Sequence, residues 1–264
     1  MKRKVSLAYL TIPGVEAVDQ IRIAAEAGYD FVSLRTIPMH QPGEPANELE
    51  KDPALFKKIQ ETLKAYNLKP LDIELVRVKE DLPKDYRGAF EKAAQLGATQ
   101  VLCSVWTEDR NFAIDTLGSY CEQAKEFGLQ MDLEFPAISG LRSLKDVIAV
   151  QDAIKAPNLK LLMDILYVYW DNETPELIKN TDPSRFGLIH MCDCPKDYLS
   201  YEKVVIMREK REYPGLGAAP IAQYLEAFPA ELPCSIELPN KEYIEKYGAL
   251  GHAKNCLENL KKLF

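Results

Sequence analysis

The chain has 264 residues, and its 33 basic against 40 acidic side chains give a net charge of −7. Hydrophobic residues at 47% and charged residues at 28% match an ordinary globular chain, which excludes disordered, collagen-like and disulfide-dense classes. No apolar run approaches the ~20 residues of a bilayer span, and the acidic balance lacks the basic footprint of a nucleic-acid binder, so neither a membrane nor a nucleic acid is an expected partner.

The start, MKRKVSLAYLTIPG, sets basic residues before an apolar stretch. That stretch is short, and Pro13-Gly14 breaks it without a small-residue cleavage site. It reads instead as a first buried strand, Val5–Thr11, in a cytoplasmic protein. Further β-branched, apolar runs predict strands at Tyr29–Thr36, Lys69–Val78, Thr99–Trp106, Leu129–Pro136, Leu159–Tyr167, Phe186–Asp193 and Cys234–Asn240. Amphipathic stretches of helical spacing lie between them. VEAVDQIRIAAEAG ends on Gly28, a C-cap signal. DPALFKKIQETLKAYN offers Asp52 as N-cap and Pro53 at the first helical position. Alternating β and α units imply a parallel sheet covered by helices. Eight such units without a composition break predict one closed (β/α)₈ barrel over residues 1–264. An open doubly wound sheet is the alternative, although TIPGVEA is a poor phosphate loop. The long irregular stretches, Met39–Lys51 and Cys194–Gly217, both follow strand C-terminal ends, the catalytic face of such a barrel. Of the six scattered cysteines, four fall in the apolar runs, where a free thiol packs as a small hydrophobe and suits a reducing compartment.

Buried parallel strands read as near-continuous apolar runs. Glu134, Asp164, His190 and Glu237 interrupt four successive ones, each in its second half. One such carboxylate is readily explained as a rim residue, ion pair or cap. Four converging on the barrel top need compensation, because an unpartnered buried charge costs several kcal/mol. Three carboxylates and an imidazole make a divalent-cation site: the oxygens suit Mg²⁺ or Mn²⁺, and the nitrogen admits Mn²⁺, Co²⁺ or Zn²⁺. Asp72 and Asp132 also sit in strands; they either point outward to helices or, for Asp132, lie deeper on the face of Glu134. Arg35 and Glu74 end or interrupt strands two and three. Arg208 and Arg211 lie in the strand-seven loop and offer forked donors for a carboxylate or phosphate, with surface ion pairs as the alternative. Asp193 is positioned to orient that loop or to cap. Tyr9 and Trp106 end strands and fit an apolar pocket wall or core packing. His40 reads as a loop residue and His252 as a helix-surface residue.

The series LEFP, LLMDILY, LIHMCDCP and CSIELPN resembles the xylose isomerase-like barrels, the sugar phosphate isomerase/epimerase or AP endonuclease-like superfamily. REKREYPGLG resembles the R-x-x-R-x-x-P-G-x-G element of one bacterial branch, related to dehydroshikimate dehydratases; AGYDFVSLR and LDIELVRV resemble that branch's second and third strands. The resemblance implies Glu134, Asp164, His190 and Glu237 as ligands of one divalent cation. It also implies Glu134 and Glu237 as the groups that move a proton, and Arg35, Glu74, Tyr167, Arg208 and Arg211 as substrate-binding candidates. Tyr167 stands where many members carry a histidine, and a phenol with a pKa near ~10 is a poor base. Leu216-Gly217-Ala218-Ala219 lacks the acidic residues relatives usually carry there. The implied activity is isomerisation or epimerisation of a small sugar or keto-polyol through an enediolate. A dehydratase-type lyase and a non-catalytic sugar-binding barrel are the alternatives, with a small-molecule substrate as partner and a homodimer left open. A DNA-repair endonuclease on the same barrel is disfavoured: multi-metal chemistry needs many histidines, and the chain has 3.

Overall fold

The computed structural model describes residues 3–264, so Met1 and Lys2 of the basic start lie outside the described residues. Eight parallel strands close into a barrel in chain order: β1 Val5–Ala8, β2 Phe31–Arg35, β3 Lys69–Val78, β4 Gln100–Val105, β5 Gln130–Glu134, β6 Leu159–Asp164, β7 Phe186–Met191 and β8 Cys234–Ile236. β1 pairs with β8 through Leu7 opposite Ile236, which excludes the open doubly wound sheet. Helices between strands cover the barrel, and their starts follow the predicted chemistry. Asp52 accepts a hydrogen bond from the Leu55 amide at 2.9 Å with Pro53 at the first helical position. Gly28 ends its helix at φ 86°, where a side chain would be strained.

Three boundaries differ from expectation. The first strand stops at Ala8, and Tyr9–Thr11 turn into a short 3₁₀ helix. The sixth strand stops at Asp164, whose Oδ1 accepts from the Leu166 amide at 2.8 Å and starts the helix Ile165–Trp170. Tyr167 therefore sits on a helix rather than a strand. A short apolar run fits either state, and the capping aspartate decides it. The eighth strand ends at Ile236, one residue before Glu237, although the Glu237 amide still donates to the Met191 carbonyl at 3.2 Å.

Apolar residues form two cores. Outward-facing Val101, Cys103, Val105, Met131 and Leu133 join the large core beneath the helices. Leu71, Leu102, Leu162 and Leu188 form a small separate one. Leu162 and Leu188 stand two residues before Asp164 and His190, so period-two alternation places them inside the barrel below those side chains. All six cysteines are buried and free. No helix among the described residues is long and apolar enough to cross a membrane.

The rest of the interior is polar, where most such barrels use branched hydrophobes. Asp72 and Asp132 are fully buried inside the barrel, so the outward orientation is corrected. The Ser33 hydroxyl donates to Asp72 Oδ1 and lies 2.8 Å from Ser6 Oγ and 3.0 Å from Ser235 Oγ, so those two serines donate to it. Asp132 Oδ1 accepts from Gln130 Nε2 at 2.8 Å. Opposite it stands Gly187, where an added Cβ would lie 1.8 Å from that oxygen; a side chain there would displace the carboxylate. His252 is also corrected from surface to core. Its Nε2–H donates to the Leu238 carbonyl at 2.9 Å, and its Nδ1 accepts from the Tyr213 hydroxyl at 3.1 Å.

Burial holds the Asp72 carboxyl up at about 7 and that of Asp132 at about 8. Between an unfolded carboxyl's usual value and pH 7 the unfolded chain binds fewer protons than the folded one, so folding stability falls as pH rises through that window. Asp72→Asn removes this loss. In thermal or denaturant unfolding it is expected to equal the parent near pH 4 and to exceed it at pH 8 by up to ~4 kcal/mol. A variant equally stabilised, or destabilised, at both pH values contradicts the buried-acid account.

Candidate metal centre

Glu134, Asp164, His190 and Glu237 reach one point at the C-terminal end of the barrel, with one ligand atom from each lying within 4.8 Å of the others. Strand order explains the convergence: β5 to β8 are neighbours, and each delivers its side chain within one residue of its C-terminal end. Asp164 stands opposite His190 in register.

His190 Nδ1 lies 3.3 Å from Glu134 Oε1 and 3.4 Å from Glu237 Oε2. These contacts attract by charge but are not aligned as hydrogen bonds. Glu134 Oε1 and both His190 ring nitrogens are left buried without a partner. Buried polar atoms are rarely left so. Glu134 Oε1 and one ring nitrogen of a neutral His190 would fit a divalent cation.

One cation of the chain already serves the cluster. Arg211, 1% exposed, donates to Asp164 Oδ2 at 2.7 Å and pairs with Glu237 Oε2 at 2.9 Å. It also donates to the Glu237 carbonyl at 3.1 Å, the Met207 carbonyl at 3.1 Å and the Tyr167 hydroxyl at 3.2 Å. Its backbone is fixed on both sides: its amide donates to the Pro239 carbonyl at 3.1 Å, and Asn240 Nδ2 donates to its carbonyl at 2.9 Å. Three carboxylates against one guanidinium leave two negative charges, the complement of a divalent ion.

The protonation of the cluster shows the same strain. Burial, reinforced by Glu237 and Asp164, lifts the Glu134 carboxyl to about 7. Burial also raises Asp164 despite Arg211. Burial opposes the charge on Glu237, yet His190 and Arg211 overcome it and hold this carboxyl below the usual range. Burial likewise disfavours a charged His190, but the two flanking glutamates lift it well above an ordinary histidine.

Among the other candidates, Arg35 and Glu74 meet each other. Arg35 Nη2 donates to Glu74 Oε2 at 2.6 Å and Nη1 to Glu44 Oε1 at 3.1 Å, while the guanidinium lies 4.8 Å from the centre of the Tyr9 ring. This buried pair braces the top of β2 and β3, and Glu44 is a member that sequence reasoning missed. Tyr167 is buried beside Arg211, and burial keeps its phenol protonated far above neutral pH. Arg208 is exposed on a short helix, Lys203–Glu209, within the strand-seven loop. Asp193 orders that loop: its carboxylate accepts from the amides of Cys194, Gly215, Gly217 and Ala219 at 2.8–3.0 Å. A Cβ on Gly217 would come within 2.1 Å of the Cys194 carbonyl. His40 is exposed in the strand-two loop.

A cavity of about 60 Å³ opens above the cluster. Glu134 and Glu237 reach it together with Arg35, Tyr167, Arg208 and Arg211, and Trp106 and Met207 are among its apolar walls. Trp106 Nε1 donates to Ser104 Oγ at 2.8 Å, which fixes that wall.

A model of the xylose isomerase-like TIM barrel family matches residues 21–262. No curated protein matches the chain. Among solved structures, the IolI protein with a bound zinc atom superposes with a TM-score of 0.81 at 18% identity, covering 98% of this chain and 97% of its own. D-allulose 3-epimerase from Methylomonas sp., in complex with D-allulose, gives 0.73 at 17% identity over 100% and 98%. The probable 3-DHS dehydratase AsbF from Bacillus anthracis gives 0.74 at 16% identity over 98% of each chain. At these identities the likeness establishes the shared barrel.

Metal content tests the cluster. After loading and desalting, the parent is expected to hold one divalent ion per chain by elemental analysis. Asp164→Asn and Glu237→Gln should bind it more than ~10-fold more weakly, a loss that removing outer partners alone can already produce. A parent that retains no stoichiometric ion under any loading condition refutes the site.

Proposed function

The chain belongs to the xylose isomerase-like TIM barrel family, and on that premise we propose that it is a divalent-metal-dependent isomerase or epimerase of a small sugar or keto-polyol, working by proton transfer through an enediolate. The observation that carries this reading is the division of the cluster. Glu134 and Glu237 reach the cavity, whereas Asp164 and His190, both 0% exposed, do not. Two carboxyls thus touch a substrate, and two groups serve only to hold the ion. When bound by these four residues, a divalent cation would supply the positive charge that polarises a carbonyl and acidifies the neighbouring C–H.

Both reachable glutamates face the reacting carbon, so one takes the proton from it and the other returns one. Return to the opposite face of the same carbon inverts its configuration, and return to the neighbouring carbon moves the carbonyl. Tyr167 keeps its own proton at neutral pH, so it donates a hydrogen bond to a substrate oxygen and is no base. Arg211, which donates to its hydroxyl, sets the phenol's position. The walls that include Trp106 and Met207 limit water beside the reacting carbon. The 60 Å³ cavity is small against the ~300 Å³ of a typical ligand pocket.

Solvent deuterium exchange across a panel of keto-sugars tests the chemistry. Glu134→Gln and Glu237→Gln are each expected to slow exchange by ~100-fold or more. Exchange on none of the panel by the loaded parent argues for the binding-protein alternative. Tyr167→Phe is expected to raise KM by up to ~10-fold, the worth of one hydrogen bond, with the pH profile of kcat unchanged. A loss as large as that of Glu237→Gln would make Tyr167 a proton-transfer group and overturn its assignment.

A further inference from the structure

A second and larger cavity, of about 440 Å³, lies beside the metal cavity between the loops that follow β2 and β3. Leu75 is a wall of both. Arg77 lines the larger one, and its register partner on β4 is Ser104, which lines the metal cavity. The register shift between Ile73 and Val76 is the local irregularity that accompanies this arrangement. The two spaces therefore share a strand edge and a wall.

The chemistry of the larger space is uneven. Ile37, Leu75 and Leu82 make it apolar. Of the cations on it, Lys51 pairs with Glu48, and Arg87 pairs with Asp85 at 3.2 Å and Glu126 at 3.1 Å. Arg77 is half-buried, and its side chain has neither an ion pair nor a hydrogen bond among the described residues. Burial, with Arg35 nearby, lowers its proton affinity more than Tyr86, Glu44 and Asp81 raise it. Tyr86 lines the same space, is 8% exposed, and its hydroxyl has no partner among the described residues. Glu50 is the unpaired carboxylate on this space, and it is exposed, where water screens it.

We propose that Arg77 and Tyr86 hold the anionic end of the substrate, a carboxylate or phosphate, while its carbonyl end reaches across Leu75 to Glu134 and Glu237. The inference deepens the isomerase reading and rests on it for the carbonyl end. The anion site itself stands on Arg77 alone. It explains how a 60 Å³ metal cavity serves a reaction whose substrates exceed it: most of the molecule occupies the neighbouring space. Arginine suits the task because its planar fork matches both oxyanions bidentately.

Calorimetric titration with inorganic phosphate, at fixed ionic strength and with chelator present, tests the anion site without any metal. The parent is expected to bind, Arg77→Met to bind ~10-fold or more weakly, and Arg77→Lys to fall between them, since lysine keeps the charge but not the planar fork. No binding by the parent, or equal binding by Arg77→Met, overturns the proposal. In the metal-loaded chain, 2-ketogluconate is expected to displace phosphate and to lose ~10-fold in affinity with Arg77→Met, while fructose binds parent and variant alike. Failure of 2-ketogluconate to displace phosphate overturns the substrate-end assignment. Loss of phosphate binding in Arg77→Met alongside absent deuterium exchange would keep the anion site and remove the isomerase reading.

Discussion

Everything at the top of this barrel answers to one electrostatic constraint: three carboxylates converge where water does not reach, with a single guanidinium for company. Burying charge without compensation costs several kcal/mol per group. The structure shows the unmet part of that cost. The Glu134 carboxyl is pushed up to about 7, the imidazole of His190 is held protonated by its neighbours, and Glu134 Oε1 and both His190 nitrogens lack partners. A divalent ion would offset two of the negative charges and take the Glu134 oxygen and one ring nitrogen of His190, freed of its proton, as ligands.

The scaffold is organised around keeping that arrangement in place. Arg211 could not bridge Asp164 and Glu237 unless the loop carrying it were fixed, and it is fixed from two directions. Pro239 and Asn240 hold its backbone, and Asp193 gathers four amides of the surrounding loop. The capping of Ile165–Trp170 by Asp164 uses one carboxylate oxygen for local structure and leaves the other facing Arg211. That same helix brings Tyr167 to the guanidinium, so one turn of chain sets both Asp164 and Tyr167 against Arg211.

The site was legible in the sequence because buried parallel strands tolerate no charge without a reason. Glu134, Asp164, His190 and Glu237 stand out against their apolar neighbours, and period-two alternation aims them at one face. What was illegible lies where periodicity breaks. Asp72 lies where the register of β3 against β2 shifts, between Pro70 and Ile73, so alternation does not say which way it points. His252 follows Gly248, whose φ of 67° interrupts the last helix and resets the face its residues present. Tyr167 reads as strand because ILY continues an apolar run, although Asp164 carries the capping signal. Glu44 and Arg77 sit in or beside irregular segments with no period to read, and only their spatial partners, or the lack of them, make them visible.

The central claim is that a divalent ion replaces protons at this cluster, because ligands must lose their protons to bind. Titrating the metal-free chain with Mn²⁺ in buffers of differing ionisation enthalpy counts the protons released per ion. The account predicts release at pH 6, where Glu134 and His190 are protonated, and about one proton less at pH 8, where Glu134 is not. Binding that releases no proton at pH 6, or the same number at both values, would contradict it.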